Sequence, residues 1–271
     1  MQNIAKQAGD LLEQLRAERP LVQNITNFVS MDIAANVLMA LGAAPAMVHA
    51  PQEAADFAKI AHALVVNIGT LSQDFLEGGE AAATASHMLG HPWVLDPVGV
   101  GGSPYRNAAV QRLLRHRPTV IRGNASEIMS VAKVVGLSGD DARPRGVDSA
   151  HTTDQALAMA QHLARHHSCT VAATGATDLI TDGERIVRLA NGHVLMTRVT
   201  AVGCALSAVV AAFCALTEDA FEATVSALAI YGVVGEMAAE RAQSPGSYRV
   251  AFIDQLDTVT PADIAQRLKV L

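Results

Sequence analysis

The sequence has no long apolar run and no concentration of basic residues. No segment carries about 18 uninterrupted apolar residues, which is roughly the length of a membrane span, and the first ten residues lack the basic start and apolar core of a signal peptide. We therefore expect a soluble, cytoplasmic protein. Twenty lysine and arginine residues face 26 aspartate and glutamate residues, a net charge of −6. Neither nucleic acid nor a membrane is an expected partner.

Cysteine is scarce, and several familiar motifs are missing. The 271 residues include three cysteines, Cys169, Cys204 and Cys214, which cannot all pair within one chain. They show no CxxC or Cys/His spacing suited to zinc, so reduced thiols are expected. The histidines form no HExxH motif, and no Walker A sequence occurs. A disulfide framework, a zinc site and a P-loop enzyme are therefore not predicted.

The chain alternates short β-branched runs with longer alanine-rich segments of helical period. This alternation is typical of an α/β protein with a mostly parallel central sheet and helices on both faces. Strands are predicted at 46–49, 63–67, 93–96, 119–122, 170–173 and 194–199, and helices at about 27–42, 51–61, 72–90, 104–116, 125–136 and 152–167. The runs 178–181 and 185–189, separated by Asp182-Gly183, predict an antiparallel hairpin at one sheet edge.

The domain organisation follows from the same pattern. Two alanine-rich helices at 203–241 are apolar on nearly every side, so they are expected deep in the core or at a subunit interface. The polar, Gly-rich stretch 137–148 predicts a mobile surface excursion rather than a linker, because βα alternation resumes directly after it. One domain covering 1–271 is expected.

Several polar motifs follow predicted strands, at the rim where open α/β sheets bind ligands. The amides of 22–27 fit recognition of a polar heterocycle or capping of the next helix. Asp96 precedes a glycine loop and is placed to hold a metal ion or orient a hydroxyl, with a turn carboxylate as the alternative. Asn124 and Glu127 fit either a Mg²⁺ site or a capping box. Arg122 offers a fork of donors to phosphate, and Thr174 offers a hydroxyl.

Gly203 and Cys204 form a Gly-Cys pair, and an apolar run begins at Cys204. A cysteine at a helix N-terminus lies beside unpaired backbone N–H groups and the positive end of the helix dipole, which favour phosphate and a lowered thiol pKa. The alternative is a tight turn at Gly203 and a small buried residue at Cys204.

Seven motifs, in order over nearly the whole chain, resemble the hydroxyethylthiazole kinase family. They are QNITN at 23–27, LGAAPAM at 41–47, NIGTL at 67–71, DPVG at 96–99, RGNASE at 122–127, TG at 174–175 and VGC at 202–204. The resemblance implies a ribokinase-like fold and ATP- and Mg²⁺-dependent phosphorylation of the alcohol of 4-methyl-5-(2-hydroxyethyl)thiazole, in thiamine biosynthesis and salvage. It also implies a homotrimer with active sites between subunits.

The resemblance also assigns roles to residues. It places Asn27, Met47 and Ala201 at the thiazole. Arg122, Thr174 and Asn124 would contact ATP, and Asp96 and Glu127 would serve Mg²⁺. Gly203 would bind the transferring phosphoryl group, and Cys204 would lie beside the substrate hydroxyl.

The chain departs from the family pattern at two positions. The family's usual loop is Thr-Gly-x-Gly-Cys, and this chain has TAVGC at 200–204, with Ala201 in place of glycine. Many members carry histidine at the position of Gln23. Alternatives on the same fold are a hydroxymethylpyrimidine-type kinase, an ADP-dependent hydratase and a non-catalytic thiazole-binding protein. The first two are disfavoured because aspartate is expected at the position of Cys204.

Overall fold

A mixed sheet forms the centre of the molecule. The computed structural model describes residues 2–137 and 149–271, so the predicted excursion at 137–148 lies, beyond its first residue, outside the described residues. Within them, the sheet has eight strands in the order β2-β1-β3-β4-β5-β6-β7-β8, parallel from β2 to β6 and antiparallel from β6 to β8. The strands are β1 Leu21–Ile25, β2 Ala44–Ala46, β3 Ala63–Asn67, β4 Trp93–Asp96, β5 Val120–Asn124, β6 Thr170–Thr174, β7 Asp178–Thr181 and β8 Ile186–Leu189.

Helices cover both faces of the sheet. They are α1 Gln2–Glu18, α2 Met31–Leu41, α3 Ala54–Ile60, α4 Gln73–Leu89, α5 Pro104–Leu114, α6 Ala125–Val134, α7 Ser149–His167, α8 Val202–Cys214, α9 Ala220–Arg241, α10 Pro245–Thr258 and α11 Pro261–Arg267. Successive strand residues point to opposite faces. Accordingly Val65 belongs to the core cluster that includes α1, α2 and α8–α11, whereas Leu64 and Val66 belong to the cluster that includes α3–α7.

Helices α8 and α9 lie deep in the core. Alanine and glycine keep both helices slim enough to pack closely, and nearly every residue from Ala205 to Cys214 is buried. Helix α9 has the length and hydropathy of a membrane span, yet 83% of its most apolar 18 residues are buried inside the fold. The prediction that 203–241 is deeply packed is therefore confirmed.

The antiparallel edge is also confirmed. Strands β7 and β8 pair in register from Asp178 opposite Leu189 to Thr181 opposite Ile186. Residues near the end of the chain then cover part of β8: Leu189 bridges to Val270, and Leu271 N donates to Arg188 O at 3.0 Å. The outer strand of the sheet is therefore partly paired.

The predicted strand at 194–199 is wrong, because Val194–Arg198 forms a 3₁₀ helix. The side chain of His193 caps this segment, since its Nδ1 accepts a hydrogen bond from Leu195 N at 3.2 Å. Thr197 Oγ1 donates to Val194 O at 2.8 Å and stabilises the same turn. Local side-chain bonds therefore override the β-branched pattern of the segment.

Two predicted boundaries near the beginning of the sheet are also wrong. Strand β2 covers 44–46 rather than 46–49, because the carbonyl of Val48 accepts from Gln23 Nε2 at 3.1 Å. Helix α2 begins at Met31 rather than at 27, because Asn27 Oδ1 accepts from Val29 N and Ser30 N and closes a turn first. Strand β1 and helices α1, α10 and α11 were not predicted from the sequence.

Candidate active site

The carboxyl ends of β1, β4, β5 and β6 bring most of the predicted site residues to one rim. Asn27 follows β1, Asp96 ends β4, Arg122 lies in β5 and Thr174 ends β6. The order β1-β3-β4-β5-β6 is parallel throughout, so these ends share one edge of the sheet. The start of α8, with Gly203 and Cys204, meets the same rim through the side-chain contacts described next.

Cys204 is the third residue of α8, as predicted for a helix N-terminus. The first turn is fixed from two sides: Arg122 Nη1 donates to Gly203 O at 2.8 Å, and the Tyr231 hydroxyl donates to Val202 O at 2.7 Å. Ala205 N makes the first bond of the helix, to Ala201 O. The amides ahead of that bond lie at the helix end, where an anion binds favourably.

Ala201 adopts an unusual backbone conformation. Its φ of 64° and ψ of 7° are left-handed, and it is the N-cap residue of α8. A side chain costs energy in this region, and glycine does not. The structure therefore gives a conformational reason for the glycine that the resemblance expects at this position.

The pKa of Cys204 is shifted in the direction opposite to the expected one. Burial of the half-buried thiol, followed by the nearby Asp96 charge, raises its pKa above the ordinary value, and the nearby side-chain amides of Asn67 and Asn27 oppose the rise. Desolvation favours the neutral thiol over the thiolate, and it is the largest of these influences. The expectation of a lowered pKa is wrong.

Asp96 is buried and firmly held. Its Oδ2 accepts from Asn67 Nδ2 at 2.8 Å and from Ser207 Oγ at 2.7 Å, while Arg122 Nη1 lies 3.7 Å away. Burial raises the pKa of Asp96 to about 6, although Arg122 acts to lower it. Within residues 2–137 and 149–271, Asp96 Oδ1 has no hydrogen-bond partner.

Arg122 joins three elements of the rim. Besides Gly203 O, its guanidinium donates through Nη2 to Thr174 Oγ1 at 2.6 Å, and Thr174 Oγ1 donates to Gly123 O at 3.3 Å. The side chain is nearly buried, and its Nε finds no acceptor in the part of the chain that the structure describes. A fixed cation therefore stands between Asp96 and the start of α8.

Asn124 and Glu127 form the capping box that the spacing allowed. Asn124 Oδ1 accepts from Glu127 N at 2.9 Å, and Glu127 Oε2 accepts from Asn124 N at 2.9 Å. Glu127 Oε1 also accepts from Gly99 N at 3.1 Å, which ties α6 to the glycine loop after β4. The pair stabilises the helix start whether or not it also binds a ligand.

Met47 and Gln23 lie at the side of the rim. Met47 is half-buried just past β2, and its segment is held by Gln23, whose Nε2 donates to Val48 O and to Ala54 O. Gln23 is fully buried and its side chain donates hydrogen bonds to backbone carbonyls, so it has a structural role in the fold.

Asn67 and Ser207 belong to the site although neither was predicted as a site residue. Asn67 ends β3 with its Cα opposite that of Asp96, and its amide contacts both Asp96 and Asn27. The signal was present, since a polar residue at the end of an apolar strand matches Asp96 itself. Ser207 lies three positions after Cys204, which places both on one face of α8.

The fold of this chain is ribokinase-like. The same fold occurs in a ribokinase-like superfamily protein from Enterococcus faecalis, with a TM-score of 0.58 at 12% identity, covering 93% of this chain and 95% of that one. The chain also matches the model described as "Hydroxyethylthiazole kinase family" over residues 12–262. It belongs to the hydroxyethylthiazole kinase family.

Individual members of the family are similar to this chain over nearly their whole length. A hydroxyethylthiazole kinase from Cereibacter sphaeroides is 51% identical over 96% of this chain and 97% of its own. One from Rhizobium etli is 51% identical over 96% and 99%. A hydroxyethylthiazole kinase structure from Pyrococcus horikoshii is 37% identical, with a TM-score of 0.89 over 97% of this chain and 98% of that one. The family and ribokinase-like fold implied by the resemblance are confirmed.

Proposed function

We propose that the protein transfers the γ-phosphoryl group of ATP to the primary alcohol of 4-methyl-5-(2-hydroxyethyl)thiazole, a step of thiamine biosynthesis and salvage. The observation that carries this proposal is the position of Cys204: it lies at the N-terminus of α8, between the Asn27 amide and the Arg122–Asp96 pair. Membership of the family supports the choice of substrate.

The alcohol would lie beside Cys204, with Asn27, Met47 and the backbone at Ala201 around the thiazole. Asn27 Nδ2 donates toward Cys204 Sγ at 3.5 Å, so the sulfur is an acceptor in this contact. The hydrogen of a neutral thiol is then free to point toward the alcohol oxygen. In a loose phosphoryl-transfer transition state the alcohol proton leaves late, so Cys204 orients the alcohol more than it acts as a strong base.

The phosphates would lie against Arg122, Thr174, Asn124 and the α8 N-terminus. Arg122 is fixed by Gly203 O and Thr174, so its charge is in place before nucleotide binds. Backbone N–H groups around Gly203 would donate hydrogen bonds to the transferring group and stabilise the negative charge that develops on it. Both effects need no rearrangement at the moment of reaction.

Asp96 and Glu127 are the proposed carboxylates for Mg²⁺. Asp96 fits this role because its buried Oδ1 is unpartnered among the described residues. Glu127 fits through its remaining lone pairs, since each of its oxygens already accepts one backbone N–H. The described residues hold no group of three or more His, Cys, Asp and Glu placed for a metal, and Mg²⁺ commonly takes one or two carboxylates plus substrate phosphates. The bound ion would neutralise charge on the phosphoryl oxygens.

We also propose one kinase domain over 1–271, a homotrimer with sites between subunits, and a cytoplasmic location. Exposed Phe28 and Val29 follow Asn27 at the rim, and Met39 is exposed in α2, the helix that begins just after them. An apolar surface beside the site supports contact with another subunit. Light scattering in solution should give three times the chain mass of 28.4 kDa, and a monomer of full activity would contradict the trimer.

The activity is tested by incubating the protein with ATP, MgCl₂ and the thiazole alcohol and following the product by phosphorus NMR. A phosphomonoester of the thiazole is expected. A coupled assay with hydroxymethylpyrimidine in place of the thiazole separates the two kinases. Thiazole binding in a calorimeter without any phosphorylated product would instead support a non-catalytic binding protein.

A further inference from the structure

Two side-chain amides connect the two ends of the site. Asn27 Nδ2 donates to Asn67 Oδ1 at 2.8 Å, and Asn67 Nδ2 donates to Asp96 Oδ2 at 2.8 Å. Asn27 Nδ2 also lies 3.5 Å from Cys204 Sγ. Asn27, Asn67 and Asp96 are all buried, so solvent competes little for these bonds. A continuous chain of hydrogen bonds therefore runs from Cys204 to Asp96.

Backbone donors fix the direction of this chain. Asn27 Oδ1 accepts from Val29 N and Ser30 N at 3.1 and 3.0 Å, and Asn67 Oδ1 accepts from Gly69 N at 2.9 Å. A backbone N–H only donates, so each amide has a single orientation that satisfies its neighbours. Both Nδ2 groups must then point along the chain, that of Asn27 toward Cys204 and that of Asn67 toward Asp96.

The hydrogen-bond chain leaves the two carboxylate oxygens of Asp96 in different environments. Its Oδ2 accepts from both Asn67 and Ser207. Its Oδ1 accepts from nothing within the described ranges 2–137 and 149–271. Two donors on one oxygen set the rotation of the carboxylate, so the other oxygen faces a fixed direction.

We propose that Asn67 is a positioning residue for phosphoryl transfer. Its carbonyl fixes the Asn27 amide at the alcohol end of the site, its NH₂ fixes the Asp96 carboxylate at the phosphoryl end, and Ser207 shares only the second task. The inference rests on the proposed function. Because the two ends of Asn67 act on different steps, substitutions that remove one end or both have different kinetic signatures.

Three variants separate the two ends. Asn67→Asp keeps the oxygen that accepts from Asn27 but places a carboxylate oxygen against Asp96, where like charges repel. Ser207→Ala removes one donor to Asp96 and leaves Asn27 untouched. Asn67→Ala removes both ends. For each variant, calorimetry measures binding of the thiazole alcohol without nucleotide or metal, and a steady-state assay measures kcat.

Asn67→Ala should raise the thiazole Kd roughly tenfold and also lower kcat, because a buried donor and a buried acceptor lose their partner. Asn67→Asp and Ser207→Ala should keep the wild-type Kd within about twofold, and kcat should fall about tenfold or more in the first and several-fold in the second.

Thermal unfolding of each variant shows whether it folds. If Asn67→Ala does not fold, Asn67→Asp and Ser207→Ala still test the inference through the separation of Kd from kcat. Wild-type kcat in both would overturn it, and so would a thiazole Kd in Asn67→Asp raised at least tenfold. A wild-type protein that neither binds nor phosphorylates the thiazole would instead overturn the proposed function, which these variants by themselves do not test.

Discussion

Arg122 Nη1 donates a 2.8 Å hydrogen bond to the carbonyl oxygen of Gly203, so the guanidinium holds the first turn of α8 against the end of β5. The same group lies 3.7 Å from Asp96. One side chain thus fixes the position of the helix end and supplies positive charge to the rim. Losing it removes both effects together.

Replacing Arg122 by alanine should lower kcat/KM about a hundredfold or more, because fixed charge typically contributes several kcal/mol to phosphoryl transfer. Arg122→Lys keeps the charge but loses the fork that reaches Gly203 and Thr174, so an intermediate loss is expected. Steady-state kinetics with ATP varied measures both. Arg115→Ala is the matched control, because Arg115 is exposed at the end of α5, at the amino ends of the strands and away from the rim. Unchanged kinetics of Arg122→Ala would show that the nucleotide lies elsewhere.

Cys204→Ala should lower kcat without a comparable change in the KM for ATP, and Cys204→Asp should retain substantial activity. In the proposed mechanism the thiol orients the alcohol, and a carboxylate at the same position can do so too. Full activity in the alanine variant would remove Cys204 from the mechanism.

The raised pKa of Cys204 is tested separately by alkylation. Burial and Asp96 keep the thiol neutral, so the rate of reaction with iodoacetamide should still be rising at pH 9, the ordinary thiol value. Cys204→Ser gives the background, which should be slow because burial raises the pKa of both Cys169 and Cys214 to about 12. A plateau of the alkylation rate below pH 8 would contradict the raised pKa of Cys204.

Gly69→Ala should raise the KM for the thiazole alcohol and leave the KM for ATP nearly unchanged. A Cβ at Gly69 would lie 2.5 Å from Asn27 Nδ2, so the Asn27 amide must leave its present position. Gly246→Ala is the control, since a Cβ there meets nothing within 4 Å among the described residues. Equal KM values for the alcohol in the two variants would show that Asn27 does not contact it.

Ala201→Gly should increase the free energy of unfolding by about 0.5–1 kcal/mol, because relief of the left-handed strain exceeds the entropy that glycine adds to the unfolded chain. Urea unfolding measures the change. The same substitution at Ala205, inside α8, should lower stability, since there glycine weakens a helix and leaves a buried gap. If Ala201→Gly also lowers stability, the φ of 64° does not describe the protein in solution.

The stability of the protein should carry a pH dependence from Asp178. Burial raises the pKa of Asp178 from 3.8 to about 6, against the hydrogen bond from Gly175 N. Between these values the folded state keeps a proton that the unfolded state has lost, so the free energy of unfolding falls as pH rises from about 4 to about 6.

Comparison with Asp178→Asn isolates this contribution. The variant does not titrate there, so the stability of the wild type relative to the variant should fall over that pH range, by at most about 2 kcal/mol for a partly solvated group. Urea unfolding of both proteins at several pH values measures the difference. A constant difference from pH 4 to pH 7 would contradict the raised pKa.

Much of the fold follows from apolar patterning. Strands β3 and β4 were predicted with their exact limits, since helices on both faces make them continuously apolar. Strand β1 was missed because Gln23 and Asn24 interrupt its apolar pattern. These amides are buried and donate to carbonyls, a partnership that only the folded chain supplies.

The positions of the main site residues were also predicted from the sequence. The order of motifs brought Asn27, Asp96, Arg122 and Cys204 together on one rim, and the structure places them there. The helix end alone suggested an acidic thiol, and it took the folded neighbours of Cys204 to reverse that direction. The roles of individual residues in binding stay predictions until the variants above are measured.

The pairing of the last residues with β8 has a practical consequence for making the protein. Removing 269–271 would leave the backbone of an outer strand open to a neighbouring molecule, and such exposed edges promote self-association. An affinity tag is therefore better fused ahead of α1, away from the pairing of the last residues with β8.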